Sequence, residues 1–191
     1  MVRKSIAYFE KPGPENTDET LKLAYERAKE LGIRDIVVAS SYGATALKVA
    51  ELFGTERFNI VAVTICEGYK DKGWTISKEQ RERLIAKGIK VYTGTHSLSG
   101  DVTEAFTERF GGFSMKQVIA NTLYLFCQGL KVCVEIVLMA ADAGLIPVDR
   151  EVIAIAGTSR GADTAIVVKP SYSVKFFDLR IKEIIAKPRE G

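Results

Sequence analysis

The stretch 152–170, VIAIAGTSRGADTAIVVKP, decides the fold and the site that we predict. Residues 152–156 form an apolar run whose length and β-branched side chains are typical of a buried strand, and a second such run covers 165–168. The loop between them contains two glycines, three hydroxyl side chains and one arginine, which are groups that a bound anion such as a phosphate requires. The stretch therefore predicts two strands joined by an anion-binding loop, and a polar loop without a ligand is the alternative.

A second loop of the same chemistry lies at 40–45, with the sequence SSYGAT. It follows an apolar run at 36–39 and precedes a helical pattern that ends at Gly54. At a strand-to-helix turn the first backbone N–H groups of the helix are unpaired, and the helix dipole favours negative charge there. The sequence thus predicts a phosphate-binding turn, and simple capping of the helix by Ser41 is the alternative.

Apolar runs alternate with helical patterns along the whole chain. Strands are predicted at 5–9, 36–39, 58–65, 89–92, 152–156 and 165–168, followed by a helical turn and a final strand within 174–185. Helices are predicted from capping residues and C-terminal glycines at 16–32, 46–54, 77–88, 101–110 and 114–143, the last divided at Gly129. This alternation predicts one α/β domain over 1–191, with three layers and a mainly parallel sheet covered by helices on both faces.

Four polar residues recur every seven positions in the long helical region: Asn121, Gln128, Glu135 and Asp142. This spacing places them on one helical face, which is most simply a solvated face. A face directed towards a partner is the alternative. The apolar character of 115–143 also leaves room for a dimer face, so a homo-oligomer is possible.

In a sheet of this kind every strand-to-helix loop emerges at the carboxyl edge, where ligands bind near the point at which the strand order reverses. The loops at 40–45, 93–97 and 157–164 are all rich in serine, threonine and glycine, and we expect them to meet at that edge. The residues that we predict to contact a ligand are Ser40, Ser41, Tyr42, Gly43, Ala44, Thr45, Thr64, Gly94, Thr95, His96, Gly157, Thr158, Ser159, Arg160, Gly161, Ala162, Asp163 and Thr164.

The composition excludes several classes of protein. An apolar content of 47% with 27% charged residues is typical of a soluble globular domain, and a net charge of +3 without a basic cluster argues against nucleic-acid binding. The first residues turn polar too early for a signal peptide, and no apolar run reaches the length of a membrane span. Three irregularly spaced cysteines indicate free thiols and a cytoplasmic location.

The segments SSYGATALKVAEL at 40–52 and FNIVAVTI at 58–65 resemble the carboxyl-terminal α/β domain of pyruvate kinases. The stretch 152–170 resembles the last strand pair of that domain with its glycine-rich loop. The resemblance covers much of the chain and implies the fold of this domain, with an antiparallel strand at the C-terminal end. The chain looks like the small stand-alone archaeal proteins of this type.

In many pyruvate kinases this domain is regulatory, binds a sugar bisphosphate through the two loops and carries no catalytic residue. The resemblance implies that Ser40, Ser41, Gly43 and Thr45 form one phosphate-binding turn. It implies that Gly157, Thr158, Arg160, Gly161 and Thr164 belong to the second. This chain has no barrel domain to carry the kinase active site, so we expect no pyruvate kinase activity.

The ligand that we predict has one phosphate and a flat apolar body. A sugar bisphosphate would require several cations, and the sequence near the loops offers chiefly Arg160, with Lys169 at the far end of its strand. Aromatic side chains could flank a ring, and the candidates are Tyr42, Tyr69, Trp74 and Tyr92. Flavin mononucleotide (FMN) is therefore our leading hypothesis. The alternatives are a flavin-dependent oxidoreductase and a regulatory sensor of a sugar phosphate.

Other chemistry has weaker support in the sequence. His96 is the single histidine and could act as a general base or contact the ligand, but alone it cannot anchor a zinc site, and we predict no metal. Cys66 could be a nucleophile paired with His96, although a small buried thiol at a strand end is the simpler interpretation. Asp163 could hydrogen-bond the amides of its own loop or act as an acid or base. We therefore assign no catalytic residue.

Overall fold

The computed structural model describes residue 1 and residues 3–190, and in it a seven-stranded sheet lies between two layers of helices. The strands are β1 (Ala7–Phe9), β2 (Asp35–Ala39), β3 (Asn59–Thr64), β4 (Lys90–Thr93), β5 (Val152–Ala156), β6 (Thr164–Lys169) and β7 (Arg180–Pro188). The α-helices are α1 (Thr17–Leu31), α2 (Ala44–Phe53), α3 (Lys78–Ala86), α4 (Val102–Phe110), α5 (Met115–Tyr124) and α6 (Gln128–Asp142). Short 3-10 helices cover Pro14–Asn16, Glu67–Lys72 and Ser173–Asp178.

The strand order is β1-β7-β6-β5-β2-β3-β4, and β6 is the strand that runs against its neighbours. The pairs β1–β7, β2–β3, β2–β5 and β3–β4 are all parallel. The loop between β5 and β6 is too short for a crossover connection, which needs a dozen or more residues, so β6 must return antiparallel. The predicted three-layer, mainly parallel α/β fold is confirmed, and so is the helical turn followed by a last strand.

The two faces of the sheet are covered by different parts of the chain. Helices α1, α2 and α3 pack on one face, where they contact Val38, Ile153 and Ile155 of the central strands. Helix α6 covers the other face and contacts Val37 and Ala154. Both faces of β2 and β5 are therefore buried, which explains why their sequences are apolar without alternation.

The predicted helical region 114–143 consists of two helices, and the position of the break differs from the prediction. Helix α5 ends at Tyr124 and α6 begins at Gln128, so Gly129 lies in the first turn of α6 rather than between two helices. A Cβ atom at Gly129 would overlap Thr164 Oγ1 and lie 2.5 Å from Thr164 Cβ. The glycine therefore lets α6 approach β6 closely, and it does not end a helix.

The interpretation of the seven-residue repeat as one solvated face is wrong. Asn121 lies on α5, whereas the other three residues lie on α6 or at its end. Glu135 is only 5% exposed and forms an ion pair with Lys131, so this position of the repeat is buried. Only the remaining members of the repeat are exposed.

The apolar part of 115–143 divides between the core and the surface. Helix α6 is almost wholly buried, whereas Met115 of α5 and Leu125 and Phe126 just after α5 are more than half exposed. Within the described residues, no helix combines the length and the apolar character that a bilayer crossing requires. A homo-oligomer stays a prediction.

Candidate ligand-binding cleft at the carboxyl edge

A cleft of about 660 Å³ opens at the carboxyl edge of the sheet, beside β2 and β5. The chain leaves β2 towards β3 on one side and leaves β5 towards β6 on the other, so the strand order reverses between these neighbours. This volume is in the usual range for small-molecule sites. The predicted residues that line the cleft are Ser40, Ser41, Tyr42, Ala44, Thr45, Thr64, His96, Gly157, Thr158, Ser159, Arg160 and Gly161.

The turn 40–45 presents the N-terminus of α2 to the cleft. The Ala46 amide donates to Ser40 Oγ over 3.2 Å, so the hydroxyl that accepts from the first turn of α2 is that of Ser40 and not that of Ser41, our alternative interpretation. Gly43 adopts φ +89°, which shapes the turn before the first helical residue. Among the described residues, the amides of Ala44 and Thr45 have no acceptor, and both residues line the cleft. This is the unpaired N-terminal geometry that binds anions.

The loop 157–163 is shaped by the fully buried carboxylate of Asp163. Its Oδ2 accepts hydrogen bonds from the Thr158 amide at 3.1 Å and the Gly13 amide at 3.2 Å, and its Oδ1 accepts from the Thr164 hydroxyl at 2.8 Å. Asp163 therefore holds its own loop rather than facing the cleft. This is one of the two roles that the sequence left open.

The loop is also fixed against the start of α1, a support that we did not predict. The Thr17 hydroxyl donates to the Pro14 carbonyl at 2.6 Å and accepts from the Ala162 amide at 3.0 Å. Gly161 has φ +73°, and a Cβ atom there would overlap Thr17 Oγ1 and lie 2.9 Å from Pro14 Cα. Within the described chain, the amides of Ser159, Arg160 and Gly161 remain without acceptors. The loop is thus rigid and still offers three donors.

Aromatic side chains form another part of the cleft wall. The rings of Tyr69 and Trp74 stack with centroids 5.7 Å apart, and the Tyr42 hydroxyl donates to the Gly73 carbonyl at 3.1 Å. The Lys72 ammonium lies 5.1 Å from each of the two stacked rings. Tyr92, the fourth predicted aromatic residue, does not line the cleft, because it packs against the core on the α6 face.

Helix α6 supplies a wall that the sequence did not predict as part of the site. Lys131 and Glu135 are 3% and 5% exposed, and their charged groups are 2.7 Å apart. Ser99 joins them, because its hydroxyl lies 3.2 Å from Lys131 Nζ and donates to Glu135 Oε1 at 2.8 Å. Opposite charges four residues apart in an otherwise apolar helix are the signal that could have found this pair.

Six residues that we predicted as ligand contacts do not line the cleft: Gly43, Gly94, Thr95, Ala162, Asp163 and Thr164. The last three are fully buried at the end of the second loop and the start of β6, where Ala162 bonds to Thr17 and Thr164 bonds to Asp163. Lys169 lies at the opposite edge of the sheet, because β6 runs antiparallel and carries its last residue away from the cleft. Cys66 is partly exposed but is also not part of the cleft wall.

Among the described residues, a metal site and a reactive thiol at Cys133 are both disfavoured. No group of three histidine, cysteine or acidic side chains in this part of the chain could hold a metal ion. The three cysteines are free thiols, and complete burial raises the pKa of Cys133 well above its usual value. A thiol with a raised pKa is a poor nucleophile at neutral pH.

Two solved pyruvate kinase structures from Cryptosporidium parvum are similar to this chain, one of them in complex with ADP. The first has 16% sequence identity and a TM-score of 0.39, and the match covers 79% of this chain and 22% of that chain. The complex has 17% identity and a TM-score of 0.39, with 98% and 25% covered. This chain thus spans about a quarter of the length of those proteins. The family model described as the pyruvate kinase alpha/beta domain matches residues 18–168, which include both cleft loops, and the chain belongs to that family.

Proposed function

We propose that this protein binds a phosphorylated small molecule with a flat body, FMN being the leading candidate, in the cleft at the carboxyl edge of the sheet. The observation that carries the proposal is the convergence of two turns with unpaired amides on one cleft. The amides of Ala44 and Thr45 lie in one turn, and those of Ser159, Arg160 and Gly161 lie in the other. Backbone donors at a helix N-terminus together with a guanidinium suit a phosphate.

The charges of the cleft favour one phosphate over two. Lys131 is neutralised by Glu135 at 2.7 Å, and the buried carboxylate would repel a second anion placed beside it. Of the cleft-lining cations in the described chain, Arg160 is the one without an ion pair. A single dianionic phosphate at the two turns matches this balance better than a sugar bisphosphate does.

The rest of the cleft suits a planar ring. The stacked pair Tyr69 and Trp74 presents an aromatic surface, and Val132, Ile136 and Met139 of α6 contribute an apolar one. Binding sites for ring-containing ligands commonly combine such apolar walls with a few polar groups. The isoalloxazine ring of FMN is planar with apolar faces, which suits these walls, and the phosphate of FMN would lie at the two turns.

The proposal is tested by titrating the purified protein with FMN and following the quenching of flavin fluorescence, with calorimetry as a second readout. We expect FMN to bind more tightly than riboflavin, which lacks the phosphate. Arg160→Ala should weaken FMN binding about tenfold or more by removing a charged hydrogen-bond donor, while riboflavin binding changes little. Lys169→Ala is the matched control, since this cation lies at the opposite edge.

The same titration distinguishes the other ligands. Binding of fructose bisphosphate without binding of FMN would replace FMN by a sugar phosphate, and the protein would then be a metabolite sensor. Fast, saturable bleaching of an FMN-loaded sample by a nicotinamide nucleotide would instead identify a flavin-dependent oxidoreductase. Failure of every phosphorylated probe to bind or to raise the unfolding temperature would refute the proposal.

A further inference from the structure

Three polar side chains of the cleft, those of His96, Ser99 and Glu135, form a hydrogen-bonded row that phosphate binding does not explain. His96 Nδ1 lies 3.5 Å from Ser99 Oγ, at the outer limit of a hydrogen bond, and Ser99 Oγ lies 2.8 Å from Glu135 Oε1. The Leu98 amide also donates to Glu135 Oε1 at 3.0 Å, which fixes the carboxylate beside this loop. His96, Ser99 and Glu135 all line the cleft.

The hydrogen-bond capacity of Ser99 determines which nitrogen of His96 carries the proton. A serine hydroxyl has one hydrogen, and here it is donated to Glu135 because a carboxylate can only accept. The lysine ammonium of Lys131 can only donate, and it occupies one lone pair of Ser99 Oγ at 3.2 Å. The second lone pair remains for His96, so the arrangement favours the tautomer with the proton on Nδ1. Nε2, on the other side of the ring, is then an unprotonated acceptor.

Among the described residues Nε2 has no hydrogen-bond partner. The histidine ring lies 6.2 Å from the Tyr69 ring, which with Trp74 forms the aromatic wall. An oriented imidazole acceptor beside an aromatic surface is suited to the polar edge of a planar ligand. The arrangement also follows the general pattern in which one residue orients a histidine so that its second nitrogen can accept a proton.

We propose that His96, positioned by Ser99 and Glu135, is the hydrogen-bond acceptor of this cleft and selects ligands whose body carries an N–H or O–H donor. The inference rests on the proposed function, because it concerns the part of the ligand that lies beyond the phosphate. The isoalloxazine ring of FMN meets the requirement with the N–H between its two carbonyl groups. A ligand whose body offers only acceptors at this position does not.

Burial of the ring favours a neutral imidazole at His96. The pKa of His96 is lowered from its usual 6.5, chiefly because the ring is buried, and the Lys131 ammonium adds a smaller lowering effect. Glu135 and Glu104 act in the opposite direction and only partly offset these effects. At neutral pH the ring is therefore uncharged and able to accept a hydrogen bond.

The first test needs no ligand and uses the fact that His96 is the only histidine in the chain. Nitrogen-15 NMR of the imidazole reports directly which nitrogen is protonated and where the ring titrates. We expect the Nδ1–H tautomer in the wild type and a mixture in Ser99→Ala, where the hydroxyl acceptor is lost. Ser97→Ala is the matched control, since Ser97 contacts Ser173 on the surface and should leave the tautomer unchanged. A dominant Nε2–H tautomer in the wild type would overturn the proposal.

The second test uses riboflavin, whose lack of a phosphate avoids the titration of a phosphate group near pH 6. Riboflavin affinity should be constant at neutral pH and fall as the pH drops through the His96 pKa measured by NMR. His96→Phe keeps a ring but removes the acceptor, and it should bind riboflavin about tenfold more weakly and without that pH dependence. A riboflavin affinity that stays flat while His96 titrates would also overturn the proposal.

The two tests separate failure of this inference from failure of the proposed function. If neither FMN nor riboflavin binds, the proposed ligand is wrong, and the tautomer alone then decides whether His96 is the oriented acceptor. If both bind and His96 is protonated on Nε2, the proposed function stands and the acceptor assignment falls.

Discussion

A single carboxylate, that of Asp163, organises the loop that we assign to phosphate binding. It accepts from two backbone amides and one hydroxyl, and it is fully buried. Hydrogen bonds to a charged acceptor are stronger than those between neutral groups, so the loop keeps one shape before a ligand arrives. The amides of Ser159, Arg160 and Gly161, which have no acceptor among the described residues, are the ones left for an anion. Fixing the loop in advance reduces the entropy that binding must overcome.

Asp163→Ala should lower the free energy of unfolding by roughly 3 kcal/mol, because the donors of Gly13, Thr158 and Thr164 lose their acceptor in the protein interior. Chemical denaturation measures this loss, and FMN titration of the folded variant should show weaker binding. Asp149→Ala is the control, since Asp149 is exposed and has no hydrogen bond among the described residues. A variant as stable as that control would contradict the role given to Asp163.

Residue patterns predicted one wall of the cleft and missed the other for a physical reason. Glycines, hydroxyls and Arg160 carry a local signal, because the chemistry of a phosphate loop lies within a few consecutive positions. Lys131 and Glu135 contact Ser99, which lies more than thirty positions earlier, and only the folded chain brings them together. Polar residues on a helix are usually solvated, so their spacing alone indicated the wrong environment.

At the scale of elements, the boundaries of the helices agree with the prediction where residues close in sequence determine them. Gly32 adopts the left-handed conformation that closes α1, and Ser77 and Gln80 form the predicted capping box of α3. Asn16 is different: its side chain donates to the Lys11 carbonyl and does not cap α1. The predicted helix boundary at Gly129 is wrong. A glycine is needed there because α6 packs closely against β6, and this long-range contact cannot be predicted from helix propensity.

Gly129→Ala should destabilise the protein although alanine favours helices by about 1 kcal/mol over glycine. The new methyl group would overlap Thr164 and lie 3.1 Å from Asp163 Oδ1, so α6 must shift away from β6. We expect a net loss of about 2 kcal/mol in thermal or chemical unfolding, typical of an overpacked core. Gln128→Ala, one residue earlier and exposed, should change stability by less than about 0.5 kcal/mol. A Gly129→Ala variant as stable as the wild type would show that this packing is loose.

At the scale of the whole molecule, the alternation of strand and helix patterns along the sequence was enough to predict the fold class, but not the order of the strands in the sheet. The rule that loops of a parallel sheet meet at the carboxyl edge was enough to bring 40–45 and 157–161 together, because it holds for many strand orders. The pairing of β1 with β7 joins the two ends of the chain, and no local pattern encodes it. Strand β7 pairs with β6 and β1 pairs with β7, so both terminal strands are placed by contacts between residues far apart in the sequence.

An ion pair between Arg27 of α1 and Glu183 of β7 ties this last strand to the first helix. It is bidentate, with Nε–Oε2 at 2.7 Å and Nη2–Oε1 at 2.6 Å. The pKa of Glu183 is lowered from its usual value, chiefly by the hydrogen bond from Arg27, so the folded state binds a proton less readily than the unfolded chain does. The stability from this pair is therefore complete above about pH 4.5 and is lost as the pH falls through the lowered pKa.

Glu183→Gln should lower the free energy of unfolding by up to about 1 kcal/mol at neutral pH, a value limited by the partial exposure of the carboxylate. The difference between wild type and variant should shrink as the pH drops below 4.5, because the wild-type carboxyl becomes neutral as well. Urea denaturation at a series of pH values measures it, with Glu26→Gln as the control on the exposed side of the same helix. A difference that stays constant down to low pH would mean that the glutamine changes packing rather than charge. In that case side-chain packing would hold β7 against α1, and added salt would not change the difference in stability between wild type and variant.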